Sequence, residues 1–180
     1  MKHASTLFCL LLLFCCVSGT VHAQYDESTV KAVYIGRFAQ FVDVPHDSAA
    51  VITIGVFEKQ GLTPSLMTVY KTIRIKGRRV AVQFYPSIDS AICQADILFI
   101  PQLKPHELKR ILNIVRTCPV LTIGNSKGYA EQGVHINLYR SQNTIRFEIN
   151  QKAVEESSLH MSYKLYELAR IVHPTRAGNK

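Results

Sequence analysis

Apolar positions recur along this chain in two rhythms. Between Glu27 and Val42 the spacing is helical: Val30, Tyr34, Phe38 and Phe41 fall on one face, and Val33, Ile35 and Ala39 widen it. Asp26 or Ser28 stands where a cap is needed, and Pro45 ends the pattern. Val51–Phe57 is nearly all apolar, as a strand covered on both faces must be. Gly61–Lys71 returns to helix, with Thr63 placed to cap it and Pro64 at a first-turn position that needs no N–H. Ile73–Tyr85 carries strand signals on either side of Lys76–Gly77, and Ser87–Ala91 reads as a short helix. Ile97–Ile100 and Val120–Ile123 are short buried strands. Between them Pro105 opens a helix whose Leu108, Ile111, Leu112 and Val115 keep i, i+3, i+4, i+7 spacing. Val134–Tyr139 and Thr144–Ile149 alternate around the polar Arg140–Asn143, the pattern of a hairpin. Leu165, Leu168, Ala169 and Val172 then form a helical stripe preceded by Ser162. The order predicts an α/β fold: a mostly parallel sheet with helices on both faces and an antiparallel hairpin near the C-terminus.

The first residues follow another logic. Lys2 and His3 precede an apolar run, Leu7–Val17, of about 11 residues, short of the ~20 a spanning helix needs. Val21–His22–Ala23 has the small-residue form of a cleavage site. The expectation is a secretory signal over residues 1–23, cut after Ala23, and one exported domain over 24–180; an uncleaved anchor is the alternative. Removing Lys2 lowers the formal charge from +8 to +7. For an exported chain that charge points away from nucleic acid and toward an anionic lipid surface, an acidic protein or a small anion. Lys71, Arg74, Lys76, Arg78 and Arg79 gather in one stretch, which reads most simply as a solvated turn.

Three of the five cysteines lie in the leader segment, leaving Cys93 and Cys118. Each immediately precedes a predicted strand. Neighbouring parallel strands joined by a right-handed crossover start at the same end of a sheet, which brings the two thiols within bridging range. A Cys93–Cys118 disulfide is expected, with two buried free thiols as the alternative.

Catalytic patterns are not found. The seven histidines include no H-E-x-x-H and no paired Cys/His spacing, so no metal is assigned. Gly124–Gly128 follows a strand but lacks the order of a phosphate loop. Glu148 with Glu155 or Glu156 is a carboxylate pair of unknown separation. The expectation is a non-enzyme without cofactor.

Several stretches carry a resemblance. Lys31–Pro45 reads KAVYIGRFAQFVDVP, Pro119–Asn125 PVLTIGN, Gly133–Leu138 GVHINL, Arg146–Asn150 RFEIN and Leu159–Ala169 LHMSYKLYELA. Together they resemble the YfiR family of periplasmic proteins. Val44 stands where that family usually has Trp, Tyr163 and Tyr166 replace small or aliphatic residues, and a second cysteine pair near the hairpin is missing. The resemblance implies an α/β domain, often dimeric and without catalytic activity. It implies a regulator that binds the periplasmic region of a membrane diguanylate cyclase and keeps cyclic di-GMP and biofilm formation low. An outer-membrane lipoprotein sequesters the inhibitor in such systems, and some members bind small aromatic or nucleotide-like ligands. On the matching positions it implies partner contacts at Phe147, Glu148, Leu159 and Met161, and ligand contacts at His160 and Arg170. A small-molecule binding or sensing domain is the rival reading.

Overall fold

The computed structural model describes residues 26–43 and 50–173. The expected signal segment, Val44–Pro45 and the C-terminal tail lie outside the described residues.

Helix α1 (Glu27–Gln40) leads into a two-residue strand, β1 (Val42–Asp43). Then follow β2 (Val51–Val56), α2 (Thr63–Tyr70), β3 (Arg79–Phe84), a 3-10 turn (Ser90–Gln94), β4 (Ile97–Ile100), α3 (Pro105–Val115) and β5 (Leu121–Gly124). The last third contains the hairpin β6 (Ile136–Ser141) and β7 (Thr144–Asn150). After it come α4 (Gln151–Glu155), β8 (His160–Met161), α5 (Tyr163–Tyr166) and β9 (Arg170–Val172). Seven strands form one sheet in the order β3-β2-β4-β5-β6-β7-β9, and β1 pairs with β8 in a separate ribbon. All pairs in the large sheet are parallel except β6–β7.

Alternation along the central strands separates two cores. Ile97 and Phe99 of β4 join α1 and α2 on one face, with Ile35, Phe38 and Leu66. Leu98 and Ile100 join α3 on the other, with Leu108, Ile111 and Val115. A strand covered on both sides has no room for a polar face, which is why these segments read as unbroken apolar runs. On the first face Phe38 packs on Phe147 with ring centroids 4.8 Å apart, fixing α1 against the hairpin. Helices α1 and α2 touch where Gly36 faces the Tyr70 ring, and a Cβ at position 36 would collide with the phenol. The Tyr70 hydroxyl donates to the Ala32 carbonyl at 2.7 Å, and burial pushes its pKa up to about 12.

Cys93 and Cys118 are bridged, with Cα atoms 5.5 Å apart. They sit just before β4 and β5, adjacent parallel strands. Closing this loop stabilises the native chain by about 3 kcal/mol in the chain-entropy account.

The structure differs from the sequence pattern in several places. Thr63 does not cap α2 as an acceptor; its hydroxyl donates to the Glu58 carbonyl at 2.7 Å. Ile73–Arg78 forms no strand: Ile75 and Arg78 bridge a tight turn in which Lys76 and Gly77 both take positive φ, 49° and 76°. Most consequential, the stripe Leu165–Val172 is not one helix. After a single turn the chain extends, and β9 pairs in parallel with β7. A helix would have left the outer edge of β7 unpaired and Glu148 without its cation; the strand supplies both the ladder and Arg170. Leu168 consequently points to solvent.

Candidate functional site

The register of the sheet places one residue from each of four strands in a row. Gly124 of β5 pairs with Asn137 of β6, Asn137 with Glu148 of β7, and Glu148 with Arg170 of β9. The rungs before it, Ile123–Ile136–Ile149–Ile171, point the other way into the α1 core. The period of two therefore turns every second position of the hairpin into a polar contact on the far face.

Glu148 is 2% exposed. Its Oε1 accepts from Asn137 Nδ2 at 2.9 Å, and its Oε2 accepts from the Arg170 guanidinium at close range. Arg170 itself is 57% exposed and lies over the Tyr139 ring, 5.1 Å from its centroid. The Glu148 carboxylate beside it holds the guanidinium pKa above its usual value. Glu131 lies near enough to Arg170 to add to that, and its Oε2 is buried without a hydrogen-bond partner among the described residues.

Asn137 makes a second connection. Its amide donates to the Ser126 carbonyl at 2.9 Å and its Oδ1 accepts from the Ser126 N–H at 3.2 Å, which clamps the loop after β5. Gly124 is needed under this clamp, because a Cβ there would meet Asn137 Oδ1 at 2.9 Å and the Tyr129 ring at 2.8 Å.

A second polar set lies one step along the strands. The Thr122 N–H donates to His135 Nδ1 at 3.1 Å, and the His135 N–H donates to Thr122 Oγ1 at 3.0 Å. An acceptor Nδ1 leaves the proton on Nε2. Asn150 donates its amide to the Ala130 carbonyl at 2.6 Å and accepts from the Ala153 N–H at 2.8 Å, capping α4. Burial drops the His135 pKa from an ordinary 6.5 to about 4.

These contacts account for the strand motifs. In PVLTIGN, GVHINL and RFEIN, the residues Thr122, Gly124, His135, Asn137, Glu148 and Asn150 alternate with apolar ones that face the α1 core. The sequence reading passed over Thr122, His135, Asn137 and Asn150. The available signal was a polar residue at every second position of strands otherwise buried.

The residues expected to bind partners and ligands are dispersed. Phe147, Glu148 and Leu159 are buried: Phe147 and Leu159 in the α1 core, Glu148 in the polar row. Met161 is half-buried against that core, and His160 is exposed. His160 pairs with Asp43 in the small ribbon, whereas Arg170 belongs to the large sheet, so the two ligand candidates come from different sheets. The C-terminal segment instead exposes Tyr163 and Leu168, at 73% and 75%.

On the α3 face, an open cleft of about 600 Å³ runs between α3 and α4, lined by Lys109, Leu112, Glu131, Asn150, Lys152 and neighbours. Thr122 and His135 line the adjoining hollow. Among the described residues no His, Cys, Asp or Glu group is arranged to hold a metal, and no helix is long and apolar enough to cross a membrane.

Two outcomes follow from this geometry. Arg170→Met leaves a buried carboxylate without its cation. It should cost about 3 kcal/mol in urea unfolding, the low end for a broken buried pair because the guanidinium side is open to water. His135 should make stability fall with acid. Its folded pKa is depressed, so below pH 6.5 the unfolded chain binds a proton the native chain refuses. The full contribution is present above about 6.5 and is lost as pH falls toward about 4, by roughly 3 kcal/mol in all. His135→Gln should remove that slope between pH 7 and 4.5, whatever its effect on stability at pH 7.

Comparison with known proteins places this arrangement. Two solved structures share the fold. A conserved domain protein from Vibrio cholerae O1 biovar El Tor has a TM-score of 0.56 and 12% identity, over 81% of this chain and 60% of that one. The ABC domain from Streptococcus pneumoniae in complex with L-Trp has a TM-score of 0.58 and 11% identity, over 78% of this chain and 62% of that one. At such identities the likeness is one of fold alone, and the chain spans less than two thirds of either protein. No curated protein matches the sequence. The model of the YfiR/HmsC-like family matches residues 28–170, from the first turn of α1 to the arginine that closes the polar row, and the chain belongs to that family.

Proposed function

We propose that this protein is a periplasmic repressor that binds the periplasmic region of an inner-membrane diguanylate cyclase and thereby keeps cyclic di-GMP and biofilm formation low. The observation that carries the reading is membership, over nearly the whole described fold, in a family of periplasmic regulators of such cyclases. The mechanism is differential binding: the bound inhibitor favours the inactive state of the cyclase, and its removal, by a sequestering outer-membrane lipoprotein among other means, releases it.

The C-terminal third supplies the docking surface. Because Phe147, Glu148 and Leu159 are buried, their part is to hold that surface in shape. The contacts fall to Met161, Tyr163 and Leu168, with His160 and Arg170 at the border. Two large apolar side chains in water, on a segment braced by β9 and by the β1–β8 ribbon, suit an interface anchor better than a core.

A second reading has its own observation. The α3–α4 cleft combines Lys109 and Lys152 with Glu131, whose inner carboxylate oxygen has no partner among the described residues. Such a cleft suits a small zwitterionic or aromatic ligand, and one solved protein of similar fold holds L-Trp. A rise in melting temperature with L-tryptophan, absent in Glu131→Gln, would support a ligand-sensing domain.

The deciding experiment is intracellular cyclic di-GMP with the gene deleted and restored. Deletion should raise it, and the exported chain, but not one lacking residues 2–23, should reverse the rise. A Tyr163→Ser/Leu168→Ser chain should melt within a few degrees of wild type. It should bind the purified periplasmic region of the cyclase at least about tenfold more weakly, as loss of anchor residues does. An unchanged cyclic di-GMP level would reject the repressor reading.

A further inference from the structure

The basic stretch after α2 reaches an exposed turn at Lys76–Gly77, and its first residues stand beside the end of α1. Helices α1 and α2 run to the same end of the molecule, where Val33, Arg37, Gln40, Ile73 and Arg74 line one groove with Tyr70 beneath them. Arg37 lies in the last turn of α1, and Lys71 is the residue that closes α2. Arg37, Lys71 and Arg74 are exposed and have no ion pair among the described residues. Between them Ile73 is 47% exposed, and Met67, one helical turn before Lys71, is 61% exposed. Val33 completes an apolar strip along α1 that continues into the hollow formed by Thr29, Val30 and Tyr34. Asp43, at the same end, is taken up by Lys76 at 2.6 Å, so it does not neutralise the three cations.

Helix-dipole compensation accounts for Arg37 and Lys71 taken singly. It does not account for large apolar side chains left in water among them. Cations on long, flexible stems alternating with apolar tips match the boundary between anionic headgroups and acyl chains, where each cation is attracted and each tip is buried. The cations come from two helix ends and the following loop, and Lys71 lies outside the groove that Arg37 and Arg74 share. That suits a laterally continuous anionic surface better than one acidic side chain.

We infer that the face formed by the ends of α1 and α2, with Arg37, Lys71, Ile73 and Arg74 at its centre, docks on a bilayer rich in anionic phospholipid. The interaction is peripheral and reversible. It needs no cyclase, so it stands independently of the repressor reading, although it would concentrate such a repressor at the membrane that holds its target.

The test is vesicle flotation of the full exported chain at about physiological salt, where the Debye length is about 8 Å. Phosphatidylglycerol/phosphatidylethanolamine vesicles are compared with phosphatidylcholine vesicles. Binding to the first and not the second is expected. Lys71→Glu/Arg74→Glu should reduce it about tenfold or more, and Ile73→Ser should also weaken it at unchanged charge. Lys109→Glu/Lys127→Glu, with the same charge change elsewhere on the surface, should leave most of the binding in place. Absence of wild-type flotation, or equal loss in the control pair, would overturn the proposal. So would wild-type chain that ignores vesicles while Lys71→Glu/Arg74→Glu loses the purified cyclase region, because the face would then dock protein. Cyclic di-GMP levels are not part of this readout, so either proposal can fail alone.

Discussion

The C-terminal half of the sheet depends on one buried carboxylate. Glu148 sits in a sheet covered on both faces, where an unpaired charge would cost several kcal/mol. It is tolerated because two donors reach it, Asn137 from β6 and Arg170 from β9. Each donor is in turn tied elsewhere, Asn137 to the loop at Ser126 and Arg170 to the Tyr139 ring. The carboxylate therefore specifies which strand lies next to β7, where the chain must stop being helical, and how the loop after β5 is held. Replacing a buried ion pair with apolar residues of similar size is often neutral in free energy; here it would remove the reason for β9 to pair where it does.

Much of the architecture follows from that constraint together with the apolar rungs beside it. The isoleucine row Ile123–Ile136–Ile149–Ile171 seals the α1 side, while the polar row keeps the other side of the same strands in register. A one-residue slip of the hairpin would bury the polar row against Phe38 and expose the isoleucines, so the register is fixed from both faces at once. The cystine just before β4 and β5 ties together the starts of two adjacent inner strands, one of which, β5, carries the polar row.

A braced scaffold of this kind suits binding more than chemistry. Among the described residues the buried polar groups satisfy one another and the backbone, Glu131 Oε2 excepted. His135 is kept neutral by burial, with Nδ1 engaged by Thr122. What reaches solvent includes two kinds of surface. Tyr163 and Leu168 each expose a large apolar side chain on the C-terminal segment, and cations with apolar tips gather at the ends of α1 and α2. The β1–β8 ribbon links them, because Ser162, next to Tyr163, donates its N–H to the Phe41 carbonyl at the end of α1.

The sequence by itself determined the order of elements, the parallel core and the two-sided burial of its strands. Those properties rest on local period, and runs such as ILFI and VITIGV admit little else. The disulfide was also legible, because two cysteines each preceding a strand need only the handedness rule to be brought together. The fate of Leu165–Val172 was not legible. Its helical spacing is genuine, and only the free edge of β7 and the need of Glu148 for a cation turned it into a strand. For the same reason the helical stripe put Leu168 on an inner face, where it is exposed, and the resemblance put partner contacts at Phe147, Glu148 and Leu159, which are buried. Exposure depends on which neighbour a segment meets, and that neighbour lies tens of residues away along the chain, beyond the reach of any local pattern.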